Sequence, residues 1–197
     1  MDRDDTPSTD LIAELRRYLP LGETQAAELQ RLSRPARVAR GEHLFRPDEV
    51  CRRLYFMARG LVRSYYLFDD KEVNLRLICD GSAVLPLTSL ITQRPAQEHI
   101  QCLADCEGWW LSLEDMLHPR RAAAWEPLRR VLAERHYLSM ERRLLTIQYK
   151  SASQRWQYFK RTMEPRIVAE TPAVHIASYL GVTPESLSRI KRGPATS

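Results

Sequence analysis

The sequence of 197 residues predicts an α+β protein in three parts. They are an N-terminal double-stranded, jelly-roll-like β-roll with short helices before it (residues 1–119), a long helix (120–149), and a C-terminal helix-turn-helix (150–197). Three observations carry the prediction. Short apolar segments separated by turn formers run from Ala36 to about Leu113. Apolar residues then recur at helical spacing from Trp125 to Tyr149. Thr171 to Arg192 combines the capping, turning and core-facing residues of two short helices.

In chain order, residues 1–8 are short, acidic and carry Pro7, and read as disordered. Leu11, Ile12, Leu15 and Leu19 fit a helix over 9–19, interrupted by Pro20 and Gly22. Ala26, Ala27, Leu29 and Leu32 fit a second, ending near Pro35. The strand segments are Val38-Ala39, His43-Leu44-Phe45, Leu54-Tyr55-Phe56-Met57, Leu61 to Phe68, Val73 to Cys79, Ile100 to Ala104 and Trp109 to Leu113. Met57 to Val62 reads as a hairpin in which Gly60 supplies a positive φ. Ser89-Leu90-Ile91 reads as a short helix or turn.

Beyond Glu114 the strand signals stop. Trp125, Leu128, Val131, Leu132, Leu138, Leu144 and Leu145 place apolar residues on more than one side of the long helix, which therefore needs two neighbours. One is the roll; the other is the same helix of a second subunit, or else more of the same chain. Residues 151–163 fit an amphipathic helix with Trp156 and Phe159 inward and Arg155, Lys160 and Arg161 outward, ended by Pro165. Ile167-Val168-Ala169 reads as a short extended segment.

The last segment is the most specific. Ile176, Ala177 and Leu180 share a helical face, and Gly181 can take the left-handed conformation that ends the helix. Thr183 can cap the next helix, with Pro184 at its first position, where the missing N–H costs nothing. Leu187 and Ile190 point to the core, which leaves Ser186, Ser188, Arg189, Lys191 and Arg192 off the apolar stripe. The pattern is that of a helix-turn-helix whose second helix enters the DNA major groove; the plainer alternative is a helical hairpin.

Charge follows the same division. Residues 1–119 hold 15 Lys+Arg and 19 Asp+Glu, a net of −4; residues 120–197 hold 15 and 6, a net of +9. A basic end on an acidic one points to polyanion contact at the C-terminal end, or to a solvated Arg-rich surface. No apolar run reaches membrane-span length, and Met1-Asp2-Arg3-Asp4-Asp5 is the wrong start for a secretory signal, so a cytoplasmic protein is expected. Cys51, Cys79, Cys102 and Cys106 are then reduced, and lack a second pair at zinc-site spacing. No Gly-rich phosphate loop, no paired nucleophile and base and no metal-ligand spacing occur, and His43, His99, His118, His136 and His175 are scattered, so no enzyme and no metal are expected.

Ile176 to Ile190 resembles, nearly residue for residue, the DNA-binding motif of the cyclic-AMP receptor protein / fumarate-nitrate regulator (Crp/Fnr) family of bacterial transcription regulators. Arg40-Gly41-Glu42 with Leu44-Phe45 resembles the start of that family's sensor domain, and Leu54 to Arg63 its second hairpin. The resemblance implies a homodimer on a near-palindromic double-stranded operator, one recognition helix per major groove, with RNA polymerase as a further partner and no membrane association. Glu185 and Arg189 would face base edges, Thr183, Ser186 and Ser188 would hold phosphates, and Lys191 and Arg192 would add phosphate contacts. Pro184 stands where other members carry a base-reading or phosphate-binding side chain.

Two departures shape the expectation further. The chain ends soon after Arg192, with Gly193 to Ser197 as a loose tail, where many relatives continue into another element. The cyclic-nucleotide-binding members use a Gly-Glu pair and then an Arg-Ser or Arg-Thr pair. Here Gly81 to Leu87 is followed by Pro95 to Ile100, with no Glu beside Leu85 and no Arg-Ser. Cyclic AMP is not expected to bind, because a phosphate needs a cation and fixed donors and Glu98 would repel it. With no cysteine before Cys51, an iron–sulfur cluster is not expected either. Thr88, Arg94, Glu98 and His99 would lie near the old pocket as solvated loop residues, and the effector stays unidentified. The competing function is a β-roll ligand-binding or protein-interaction module whose shortened helix-turn-helix no longer reads DNA.

Overall fold

The structure, a computed structural model, describes residues 10–17, 21–114, 118, 122–149 and 151–192. The disorder expected over 1–8, the break at Pro20 and the loose tail over 193–197 lie outside these residues. Helix α1 (Leu11–Arg16) begins where the Asp10 carboxylate accepts the Ile12 N–H at 2.9 Å. Helix α2 (Glu23–Leu32) ends near Pro35, at Ser33, whose backbone is already extended. Pro35 lies inside strand β1 (Ser33–Val38), an edge strand, where a missing N–H is tolerated.

Strands β2 (His43–Phe45), β3 (Arg53–Arg59), β4 (Leu61–Phe68), β5 (Lys71–Cys79) and β6 (Ser82–Val84) follow, then helix α3 (Leu87–Thr92), and strands β7 (His99–Cys102) and β8 (Cys106–Ser112). They form two four-stranded antiparallel sheets, β1-β8-β3-β6 and β2-β7-β4-β5. The three-residue β6, which pairs with Tyr55 to Met57, has no periodicity to announce it. The stretch from Met57 to Val62 is not a hairpin: β3 and β4 belong to different sheets, so it is a corner. Gly60 makes the corner at φ 150, and a Cβ there would stand 2.6 Å from Cys106 Sγ and 2.7 Å from Met57 Sδ. The true hairpin joins β4 to β5 through Asp69 and Asp70, at φ 46 and 60, the positive pair that suits strand twist.

Helix α4 (Ala122–Gln148) has 27 residues. Trp125, Leu128 and Leu132 bury its first half in a core shared with α1, α2 and the interior of the roll. Further along, Tyr137, Leu138, Leu144 and Leu145 are exposed, with Glu141 between them. Helix α5 (Ala152–Thr162) starts in a capping box, Ser151 Oγ accepting Gln154 N–H at 3.1 Å and Gln154 Oε1 accepting Ser151 N–H at 3.1 Å. Residues 167–169 are helical, not extended: Pro165 opens helix α6 (Pro165–Glu170) from its first position. Helices α7 (Ala173–Leu180) and α8 (Pro184–Arg192) complete the described chain. No helix among the described residues is long and apolar enough to cross a membrane.

A second core decides how the C-terminal helices sit. Trp156, Phe159, Met163, Ile167, Ile176, Tyr179, Leu180 and Leu187 pack with Leu61, Leu77 and Cys79 on the outer face of sheet β2-β7-β4-β5. Each large side chain so buried contributes about 1.5–3 kcal/mol. Helix α7 also covers the free edge of β5. Asn74 N–H donates to Ser178 Oγ at 2.9 Å, and Ser178 Oγ donates to the Glu72 carbonyl at 2.9 Å. An edge that would template aggregation is thereby occupied.

Candidate nucleic-acid interface

Helices α7 and α8 meet at Gly181, which is left-handed at φ 64, ψ 41. Gly181 N–H donates to Ser178 O at 3.2 Å and Val182 N–H to Ala177 O at 3.0 Å, which satisfies carbonyls at the end of α7. Thr183 Oγ1 accepts the Ser186 N–H at 3.2 Å and lies 3.2 Å from Ser186 Oγ. Ile176, Ala177, Leu180 and Leu187 are fully buried and Ile190 is half-buried.

This packing sorts the residues expected to meet DNA. Thr183, Pro184, Glu185, Ser188, Arg189, Lys191 and Arg192 are exposed; Ser186 is half-buried beside its cap. Glu185, Ser188, Arg189 and Arg192 fall at i, i+3, i+4 and i+7, one outward face of α8. Lys191 stands apart from them, its ammonium 4.9 Å from the Trp156 ring centroid. The Arg192 Nε donates back to Ser188 O at 3.5 Å. Acidic Glu185 in the first turn and the three basic residues of the last turn complement the helix dipole.

Arg155, expected to face outward, does not. Arg155 is half-buried, its Nε donating to Tyr149 O at 2.9 Å and its Nη1 to Leu180 O at 3.1 Å and Gly181 O at 3.2 Å. One guanidinium thus ties the α7–α8 turn to the residue just after α4. No local signal separates this arginine from Lys160 and Arg161, which are exposed as expected.

The roll interior also differs from expectation. Thr88 and Arg94 are exposed, but Glu98 is only 3% exposed. It pairs with Arg76, 5% exposed, at 3.0 Å and accepts from Ser64 Oγ. Arg76 Nη2 also donates to Leu85 O at 3.2 Å. His99 opens β7 and stacks on the Tyr65 ring at 4.7 Å. Arg76 lines a cavity of about 890 Å³ between β5, β6, α4 and α6, together with Leu85, Leu132 and His136. All four cysteines are free and buried, and burial pushes the Cys51 and Cys79 thiols up to about 11, so both stay protonated at neutral pH.

Residues 35–118 match the cyclic nucleotide-binding domain family. The match runs from within β1 past the end of β8, so it takes in most of β1 and all of β2 to β8 but not the helices that follow. No protein of curated function matches the sequence. Among solved structures, the chain is similar to the c-di-GMP-responsive global regulator CLP of Xanthomonas campestris, at TM-score 0.65 and 16% identity, over 82% of this chain and 86% of that one. It is similar to FixK2 of Bradyrhizobium japonicum, at 0.65 and 18%, over 81% and 83%. It is also similar to a protein of Eubacterium rectale assigned to the Crp/Fnr transcriptional regulators, at 0.66 and 21%, over 89% and 86%. At these identities the likeness is one of fold: a cyclic nucleotide-binding-like roll with helices at the C-terminus.

Proposed function

We propose that the chain is a DNA-binding transcription regulator of the Crp/Fnr type, without catalytic activity. Its three parts are the roll (1–119) as sensor, the long helix (120–149) as dimer contact and residues 150–197 as a helix-turn-helix reader. The observation that carries this reading is the outward face of α8, where Glu185, Ser188, Arg189 and Arg192 are exposed while Leu187 and Ile190 hold the helix to its core. Arg189 can give two hydrogen bonds to a guanine and Glu185 can accept from a cytosine amino group. Thr183, Ser186, Ser188, Lys191 and Arg192 suit phosphate contacts, which position without specifying. Tyr137, Leu138, Leu144 and Leu145 give α4 an apolar stripe for the same helix of a second copy. RNA polymerase is then the natural further partner.

Cyclic AMP does not suit this sensor. Its phosphate would displace Arg76 from Glu98 and leave a buried carboxylate facing an anion. Selection of bound duplexes from a random pool, at two salt concentrations, tests the whole reading. Enrichment of one near-palindromic sequence, with Arg189→Ala weakening specific binding by about 1–3 kcal/mol, is expected. A pool with no selected sequence would mean instead a ligand-binding or protein-interaction module.

A further inference from the structure

We propose that α7 is latched to the roll through a neutral His175, so that protonation of this one imidazole releases the α7–α8 pair from the sheet. This contact joins helix to sheet and does not depend on whether α8 reads DNA.

The latch is a polar cluster inside the second core's rim. Arg63, on β4, is 4% exposed. Its Nε and Nη2 donate to Gln101 Oε1 at 2.9 and 2.7 Å, on β7. Its Nη1 donates to the Glu72 carboxylate, on β5, and meets His175 Nδ1 at 3.0 Å, on α7. A guanidinium has donors and no acceptor, so Nδ1 must be the acceptor and the ring's proton must sit on Nε2. Asn74, fully buried on β5, donates its Nδ2 to the His175 carbonyl at 3.1 Å. The Ser178 hydroxyl closes the β5 edge one turn further along.

A proton on Nδ1 would remove that acceptor and set an imidazolium 3.0 Å from a buried guanidinium. The charges facing His175 decide whether the site could absorb this. From β4 comes Arg63, which opposes a second cation. From β5 comes Glu72, which favours one but is already bound to Arg63, the interaction that holds its carboxyl below the usual range. From α4 comes Arg143, reaching the Asn74 carbonyl at 3.5 Å. His99, on β7, lies beyond the Tyr65 ring, over which the Arg63 guanidinium sits at 4.0 Å. A buried guanidinium and a carboxylate already bound to it leave no place for a second positive charge.

Burial and Arg63 accordingly hold His175 below its ordinary value of 6.5. The linkage has a definite sign: the released state binds the proton more readily than the latched one. Latching is therefore complete above about pH 6.5, the ordinary imidazole value, and weakens as pH falls through it. Glu72 acts in the same direction but lower, in the carboxylate range, so the two are separable.

Hydrogen exchange of the full chain at pH 7.5 and pH 5.5, corrected for intrinsic rates, tests the latch. In the wild type, protection in β5 and α7 should fall about tenfold at pH 5.5 while protection in β3 and β8 is unchanged. His175→Gln, whose amide oxygen can still accept from Arg63, should keep β5 and α7 protected at both pH values. His175→Lys should leave them open at both, with β3 and β8 again the check that the fold persists. A wild type without the pH dependence, or a His175→Gln variant that shows it equally, would overturn the proposal. Should His175→Lys lose protection in β3 and β8 as well, the comparison of wild type with His175→Gln still decides.

Discussion

Replacing Arg155 with alanine isolates the clamp between the end of α4 and the α7–α8 turn. Three carbonyls lose a charged donor: Tyr149 O, Leu180 O and Gly181 O. A hydrogen bond to a charged group contributes about 1.5–3 kcal/mol net when its acceptor is shielded. The Tyr149 and Leu180 carbonyls are partly buried and count near the lower figure, whereas the Gly181 bond is exposed and water replaces it at little cost. The expected loss is therefore about 3 kcal/mol. Lysine in place of Arg155 has one nitrogen where the clamp uses two, and should recover no more than about half. Urea denaturation of the three proteins at neutral pH measures this directly, with an unchanged m-value showing that the same surface unfolds. A loss below about 1 kcal/mol for alanine, or a lysine variant as stable as the wild type, would refute the clamp.

Other perturbations have equally definite outcomes. Gly60→Ala should destabilise the roll by about 3 kcal/mol, read by thermal unfolding, since the new Cβ meets Cys106 and Met57 at a backbone angle closed to alanine. Glu98→Gln should cost about 3–5 kcal/mol by leaving Arg76 buried without its counter-charge, and the Arg76→Met, Glu98→Gln double variant should regain part of that. Leu145→Glu, on the exposed stripe of α4, should shift sedimentation equilibrium to the monomer with little change in monomer stability; an unchanged mass distribution would remove that face from the dimer contact. Arg189→Ala should lower affinity for a selected duplex and spare thermal stability, because Arg189 is exposed.

What was legible in the sequence was local. Gly181, Thr183, Pro184 and the spacing of Ile176, Leu180 and Leu187 set two helices and their turn, because capping and periodicity act within a few residues. β4 could be read to its last residue from its apolar run and the Asp69-Asp70 turn. Most of the misreadings share a cause: the deciding partner is far along the chain. Gly60 was seen to need a special conformation, but whether it makes a hairpin or a corner depends on which sheet β4 joins. Glu98 read as a solvated loop carboxylate because its partner, Arg76, is 22 positions away. Arg155 read as an outward arginine because the Leu180 carbonyl it holds lies 25 residues onward, and Arg63 carried no signal because its imidazole partner lies 112 residues onward. Residues 167–169 are apolar and β-branched enough to read as extended, and Pro165 in the first helical position outweighs them.

The second core gives the molecule a short mechanical path. A 27-residue helix is about 40 Å long, so a displacement at the roll that travelled by α4 would cross that distance before reaching the C-terminal helices. Strand β5 and helix α7 are joined sideways, by Asn74 and Ser178, within a single hydrogen bond. The same β5 lines the cleft beside α4 through Arg76 and holds α7 through Asn74, two residues apart on one strand. A slip of that strand would be felt on both sides of the sheet at once, with the long helix as fulcrum rather than as wire.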